Sequence, residues 1–126
     1  MEGMFFKKEN LKTLRIDDNT FRTVLSHGEG LMTARVYFEK GMALEAKVPF
    51  HCHAQTQTTF ILKGAFKFAI KYPGGVSTQI VNVGDSIYFP SNYEHGCIPL
   101  EDDSQLLDSF TPIREDFLEF EKARKE

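Results

Sequence analysis

Two histidines one residue apart open the segment "HCHAQTQTTFILKG" (residues 51–64), and a glutamine stands four positions after the second. On an extended strand, residues of equal parity share a face. His51, His53, Gln55, Gln57 and Thr59 are therefore expected on one side, with Cys52, Ala54, Thr56, Thr58 and Phe60 on the other. Imidazoles at i and i+2 of such a strand can converge on one metal ion, and Gln57 can join them through its amide oxygen. His95, after "FPSNYE", offers a third imidazole, while His27 sits alone in "SHGEG". A bare His-x-His pair also serves as ordinary surface hydrogen-bonding groups, so at this point a metal site and a solvated face both stand open.

The elements that would position these groups are mostly strands. "FRTVLS" (21–26), "LMTARVYFEK" (31–40), "TTFILKG" (58–64), "AFKFAIKY" (65–72), "STQIVNV" (77–83), "DSIYFP" (85–90) and "SQLLDSFT" (104–111) are short β-rich runs, with turn residues between them. In "AFKFAIKY", Phe66, Phe68 and Ile70 alternate with Lys67, Ala69 and Lys71, and the "YPGG" that follows predicts a hairpin. Many short strands at this spacing predict an all-β antiparallel sandwich or barrel. "TPIREDFLEFEKARKE" changes character. Thr111 can cap a helix, Pro112 suits its first turn, and Ile113, Phe117 and Phe120 form an i, i+4, i+7 stripe. Glu115 and Asp116 favour the positive end of the helix dipole, with Lys122, Arg124 and Lys125 at the other. One helix is expected over about 112–125, after a barrel core over about 14–111.

With 126 residues the chain fits a single domain spanning 1–126. Its net charge of −3 argues against a nucleic-acid or anionic-membrane partner, each of which rewards a basic surface. "MEGMFFKKEN" lacks the apolar run of an export signal, so Cys52 and Cys97 are read as reduced thiols in a cytoplasm. Cys52 is expected to be a buried small hydrophobe and Cys97 a packing residue, although Cys97 could border a pocket beside His95.

The wider spacing sharpens the reading. His51-x-His53-x3-Gln57-x6-Gly64, followed by Gly84-x5-Pro90-x4-His95, resembles the two sequence boxes of the cupin superfamily, in the same order and separated by a hairpin. That resemblance implies a double-stranded β-helix (jelly-roll) barrel with one divalent metal ion (Zn, Ni, Mn or Fe) held in its mouth by His51, His53, Gln57 and His95. Most metal-binding cupins carry Glu where this chain has Gln57. Four neutral ligands leave the ion its full charge, which favours Lewis-acid work on an anion over oxygen activation.

Two further stretches, "GEGLMTARVYFEKGM" and "LLDSFTPIREDFL", resemble the small pectin-degradation cupins that convert ring-form 4,5-unsaturated uronates to the linear keto form. The resemblance covers roughly residues 14 to 120. It implies a proton-transfer role for Asp108, a substrate-facing ring at Phe110 and a substrate-binding guanidinium at Arg114, with Arg35 as a second candidate for a substrate carboxylate. That group often has His-Glu before the ligand Gln and a Tyr soon after it; here these positions are Gln55, Thr56 and Phe60. Gln55, on the ligand face by parity, is therefore a candidate for substrate choice. The expected partner is a small anionic sugar. A homodimer is also expected, formed through the apolar "MFF" near the N-terminus and the Phe117/Phe120 stripe. The competing readings are a metal cupin of other chemistry, such as a dioxygenase or sugar isomerase, and a non-catalytic sugar- or anion-binding module.

Overall fold

Period-two alternation along the β-rich runs becomes, in the computed structural model, which describes residues 3–124, a two-sheet jelly roll. The described residues form nine strands: β1 (Thr13–Asp17), β2 (Thr20–His27), β3 (Met32–Phe38), β4 (Thr56–Lys63), β5 (Ala65–Tyr72), β6 (Gly75–Asn82), β7 (Ser86–Phe89), β8 (His95–Pro99) and β9 (Ser104–Thr111). The larger sheet runs β1-β2-β3-β9-β4-β7 and the smaller β6-β5-β8, with antiparallel pairing throughout. The predicted all-β cupin barrel with one short C-terminal helix is the fold observed.

Register decides what the barrel holds at each depth. Across β3, β9 and β4, Val36, Leu106 and Ile61 are aligned, then Ala34, Asp108 and Thr59, then Met32, Phe110 and Gln57. The first row meets Phe66, Phe68, Val81 and Phe89 in an apolar cluster. The third turns polar on one side, where Gln57 lies opposite Phe89 of β7. In the smaller sheet, Phe68 is paired with Cys97 and Ile70 with His95. Parity thus carries the core from apolar to chemically equipped along the same three strands.

Two glycines make the approach possible. Gly64 has φ +80° and is pressed against Ser104, so a side chain there meets both strain and a clash. At Gly96, beside His95, an added Cβ would strike the Pro49 carbonyl, which fixes the 39–50 connection over the smaller sheet. Lys67 ties the same connection down, donating to the carbonyls of Leu44 and Ala46 at 2.5 and 3.0 Å.

The helix α1 spans Glu115–Ala123 and starts three residues later than expected. Thr111 does not cap it, because Thr111 is the last residue of β9 and pairs with Thr56. Arg114 holds the cap position instead, with no side-chain cap bond. The expected Lys125 at the helix end lies outside the described residues. The apolar stripe docks inward, with Phe117 joining Val24, Met32, Ala34 and Phe110, and Ile113 and Leu118 packed beside them. Strands β1 and β8 were not expected. "TLRID" is short but alternates Leu14 and Ile16 with polar residues, whereas "HGCIP", with Gly96 and Pro99, lacks strand composition and is made a strand by its pairing to β5. No helix among the described residues is long and apolar enough to cross a membrane.

Candidate metal centre

His51 and His95 face one another across a backbone bridge, each amide donating to the other's carbonyl at 3.0 and 2.8 Å. His53 stands on the same approach to β4, and one ring nitrogen from each of the three imidazoles lies within 4.8 Å of the others. Their tautomers are set from behind. His53 donates from Nδ1 to the Gln55 carbonyl at 3.0 Å, and His95 from Nδ1 to the Tyr93 carbonyl at 2.9 Å. Both Nε2 atoms therefore carry lone pairs toward the shared space.

The Gln57 amide is oriented in the same way. Its Nε2 donates to Thr59 Oγ1 at 2.9 Å and to Asp108 Oδ1 at 3.0 Å, which turns Oε1 to within 2.9 Å of His53 Nε2. Two lone-pair atoms that close repel unless a positive charge relieves them. His95 Nε2 is likewise buried with no hydrogen-bond partner among the described residues. Burial opposes meeting that need with protons. Desolvation, with the neighbouring histidines and Arg114, holds His51 down at about 4, and desolvation first of all lowers His53 and His95. A divalent cation fits this donor set: three neutral imidazoles are arranged to hold one, with an amide oxygen beside them.

The imidazoles open on a cavity of about 370 Å³ lined in part by His51, Gln57, His95, Asp108, Phe110 and Arg114. Asp108 is fixed by Thr59, whose hydroxyl donates to Oδ1 at 2.6 Å alongside the Gln57 amide. Both donors meet one oxygen, so Oδ2 is left for a ligand. Desolvation pushes the carboxyl up to about 6, against the pull of those hydrogen bonds and of Arg114 and Arg22. Phe110 is 2% exposed and serves both as core and as cavity wall, its ring edge-on to His53 at 5.5 Å between centroids. Arg114 is clamped by Asp116, with Nε and Nη2 donating at 2.9 and 2.8 Å.

Three expectations fail on geometry. Arg35 is paired with Thr23 and Leu107 on the outer face of the larger sheet, the parity opposite to Ala34 and Val36, and does not line the cavity. Gln55 does not face the cavity either. The chain bends at Ala54–Gln55 and the regular strand begins at Thr56, so Gln55 leaves the face shared by His51, His53 and Gln57; the Gln55 amide donates to the Ile113 carbonyl at 2.9 Å and ties the entry of α1 to the histidine segment. Cys52 lies opposite the histidines, but that face is open to solvent, as it is at Thr58 and Phe60, so the thiol is exposed where a buried one was expected. Cys97 packs against the apolar cluster and borders the cavity, its thiol pushed up by burial. Two residues were overlooked. Thr59, on the ligand face by parity, holds Asp108 and Gln57 in place through its hydroxyl. Arg22 lines the cavity, and the signal for it was an inward parity shared with Thr20 and Val24.

The model of the cupin domain matches residues 39–107. The pectin degradation protein KdgF of Dickeya dadantii (strain 3937) is 29% identical over 103 residues, 82% of this chain and 87% of that protein. The structure of KdgF from Halomonas sp. superposes with a TM-score of 0.76 at 27% identity, covering 90% of this chain and 98% of that one. An RmlC-like cupin from Shewanella frigidimarina NCIMB 400 gives the same TM-score and identity, with 90% and 94% covered. Oxalate decarboxylase of Bacillus subtilis shares the fold alone, with a TM-score of 0.75 at 20% identity over 90% of this chain and 31% of that one. Jelly-roll topology, the imidazole cluster in the mouth of the barrel and the matched segment agree, and the chain belongs to the cupin family.

Proposed function

We propose that this cupin is a metal-dependent enzyme that opens cyclic 4,5-unsaturated uronates to their linear keto form. The observation that carries the reading is one cavity lined by a carboxyl poised at about 6, two guanidiniums and two members of the three-imidazole cluster. The likeness to a protein named for pectin degradation supports it. His51, His53, Gln57 and His95 would hold the ion, which supplies Lewis acidity toward a substrate oxygen or a water.

The remaining work belongs to the chain. Asp108 holds a proton at Oδ2, because Oδ1 is occupied by Thr59 and Gln57. With its carboxyl near 6, it can give that proton to C4 and take one back near neutral pH. As C4 is protonated, water adds its oxygen at C5 and yields a hemiketal there. The ring C5–O bond then breaks, leaving a ketone at C5 and, after loss of water, an aldehyde at C1. Phe110 and Phe117 cover the sugar and keep bulk water away, and Arg114, paired with Asp116, closes the wall beside them.

The test is the ultraviolet absorbance of the conjugated C4=C5 bond of unsaturated galacturonate. The metal-loaded protein should remove it faster than the spontaneous reaction, and a rate no higher than spontaneous at full metal occupancy overturns the reading. A homodimer belongs to the same proposal, with its face revised. Phe117 is buried, whereas Phe60, Leu62 and Tyr88 are exposed on the outer face of the larger sheet and Met4 and Phe5 near the N-terminus. Sedimentation equilibrium decides it.

A further inference from the structure

Arg22 has a placement that the proposed reaction leaves unexplained. It lies on β2 between Thr20 and Val24, opposite Val36 of β3, at a position that points into the barrel. A charged side chain is rarely carried inward on a strand without a partner, because losing water costs it more than it costs any other side chain type. Among the described residues Arg22 makes neither an ion pair nor a side-chain hydrogen bond. Its guanidinium carbon instead lies 3.6 Å from the centre of the Phe117 ring and 5.3 Å from that of Phe120. Such stacking fixes the plane of the group and leaves its in-plane N–H donors unspent.

Arg114, whose guanidinium carbon lies 4.2 Å from the centre of the same ring, is the contrast. Two of its donors are used on Asp116, so its charge is already matched. The charges that act on Arg22 are Arg114, Asp116, Glu121 and Asp108, and none of the three carboxylates reaches ion-pairing distance. An unmatched, plane-locked guanidinium on the wall of a cavity that also holds the imidazole cluster fits a bidentate anion.

We propose that Arg22 is the receptor for the ligand's carboxylate and sets the preference of this site for an acidic over a neutral sugar, while Arg114 shapes the wall. The inference deepens the uronate reading and rests on it only for the identity of the sugar.

The test compares binding of galacturonate, which lacks the reactive double bond, with that of neutral galactose, by calorimetry on the metal-loaded protein. The wild type should bind the acid in preference to the neutral sugar. Arg22→Gln should weaken galacturonate binding roughly ten- to hundredfold and leave galactose unchanged, as loss of a charge-assisted pair requires. Arg22→Lys should fall between them, because it keeps the charge and loses the fork. Arg22→Met, which keeps an aliphatic cover over Phe117, should match Arg22→Gln and guards against a packing defect. Equal galacturonate affinity in either uncharged variant, at wild-type metal content and helical and strand dichroism, overturns the inference. A wild type that does not prefer the acid overturns it too. The uronate reading fails separately: carboxylate binding that depends on Arg22, with no turnover of the unsaturated sugar, sinks that reading and leaves this one standing.

Discussion

The two ends of β3, β4 and β9 obey one rule of alternation and do opposite things with it. At one end Val36, Leu106 and Ile61 face Phe66, Phe68 and Phe89, and nothing but burial holds them. One and two rows along, Asp108, Thr59 and Gln57 take the inward positions, and hydrogen bonds among the three side chains aim them. The apolar end tolerates other apolar side chains of similar volume, since dispersion and the hydrophobic effect have no direction. The polar end does not, because a buried donor or acceptor without its partner costs more than the bond contributed. Stability should therefore be concentrated at one end of the strands and activity at the other, and four variants test how sharp that division is.

Asp108→Asn should have the largest effect, and only on function. Thr59 and Gln57 both donate to Oδ1, which the asparagine oxygen can replace, leaving its amide nitrogen where Oδ2 now faces the cavity. Proton transfer is lost, so turnover of the unsaturated uronate should fall about 10²- to 10⁴-fold. Thermal stability at pH 8 should hold or rise, because the variant has no charge to desolvate. Unfolding of Asp108→Asn together with its loss of activity would show that the two ends are one cooperative unit.

Phe66→Ala is the converse at the apolar end. Phe66 is 0% exposed, and removing its ring should cost about 3–5 kcal/mol in a urea unfolding titration. The turnover of the molecules that remain folded should be unchanged, which a rate normalised to bound metal reads directly.

Gln57→Glu sharpens the comparison within the polar end. The new carboxylate would stand where an amide donor now meets Asp108 Oδ1 at 3.0 Å, so two acidic groups would compete for one proton. Metal should be retained more tightly against a chelator while turnover drops roughly 10- to 100-fold, the range for altering a group that orients a metal site. Unchanged retention would remove Gln57 from the proposed ligand set.

How much of this was written in the sequence follows the same division. Hydrophobic alternation located the inward row of β5, the resemblance located Asp108 and Phe110 on β9, and the histidine and glycine spacing located the imidazole cluster. What sequence did not carry was the break in regularity at Ala54–Gln55: a parity argument counts residues as if the strand ran straight, and the bend turned Gln55 toward Ile113, while parity put Cys52 opposite the histidines without telling that this face is the solvent side. Arg35 and Arg22 illustrate a different loss. Both lie on strands that alternate well, but which parity faces inward depends on how the sheets stack, and that was decided by Met32, Ala34 and Val36 filling the core. Strand β8 was invisible because Gly96 and Pro99 read as loop, and only its register with β5 makes "HGCIP" a strand.

Thr59→Val should have the smallest effect and is the most exacting test. The hydroxyl is 1% exposed with its residue and donates to Asp108, so removing it should cost about 1 kcal/mol at pH 8, where the carboxylate is charged. The direction with pH follows from linkage. Asp108 sits at about 6 in the folded chain against an ordinary 3.8, so the folded state holds the extra proton between those values. The stability from this group is then complete below about 3.8 and is lost as pH rises through 6. Without Thr59, one of the interactions that lower this carboxyl is gone, and its titration moves further up. The difference in melting temperature between Thr59→Val and wild type, both stripped of metal, should therefore be near zero at pH 4 and widen toward pH 8. Taking the difference cancels the three histidines, whose lowered values make the fold lose stability in the other direction, as pH falls below 6.5. A penalty that is the same at both pH values would mean that Thr59 contributes packing alone, and that the charge of Asp108 is held by Gln57 and the arginines without it.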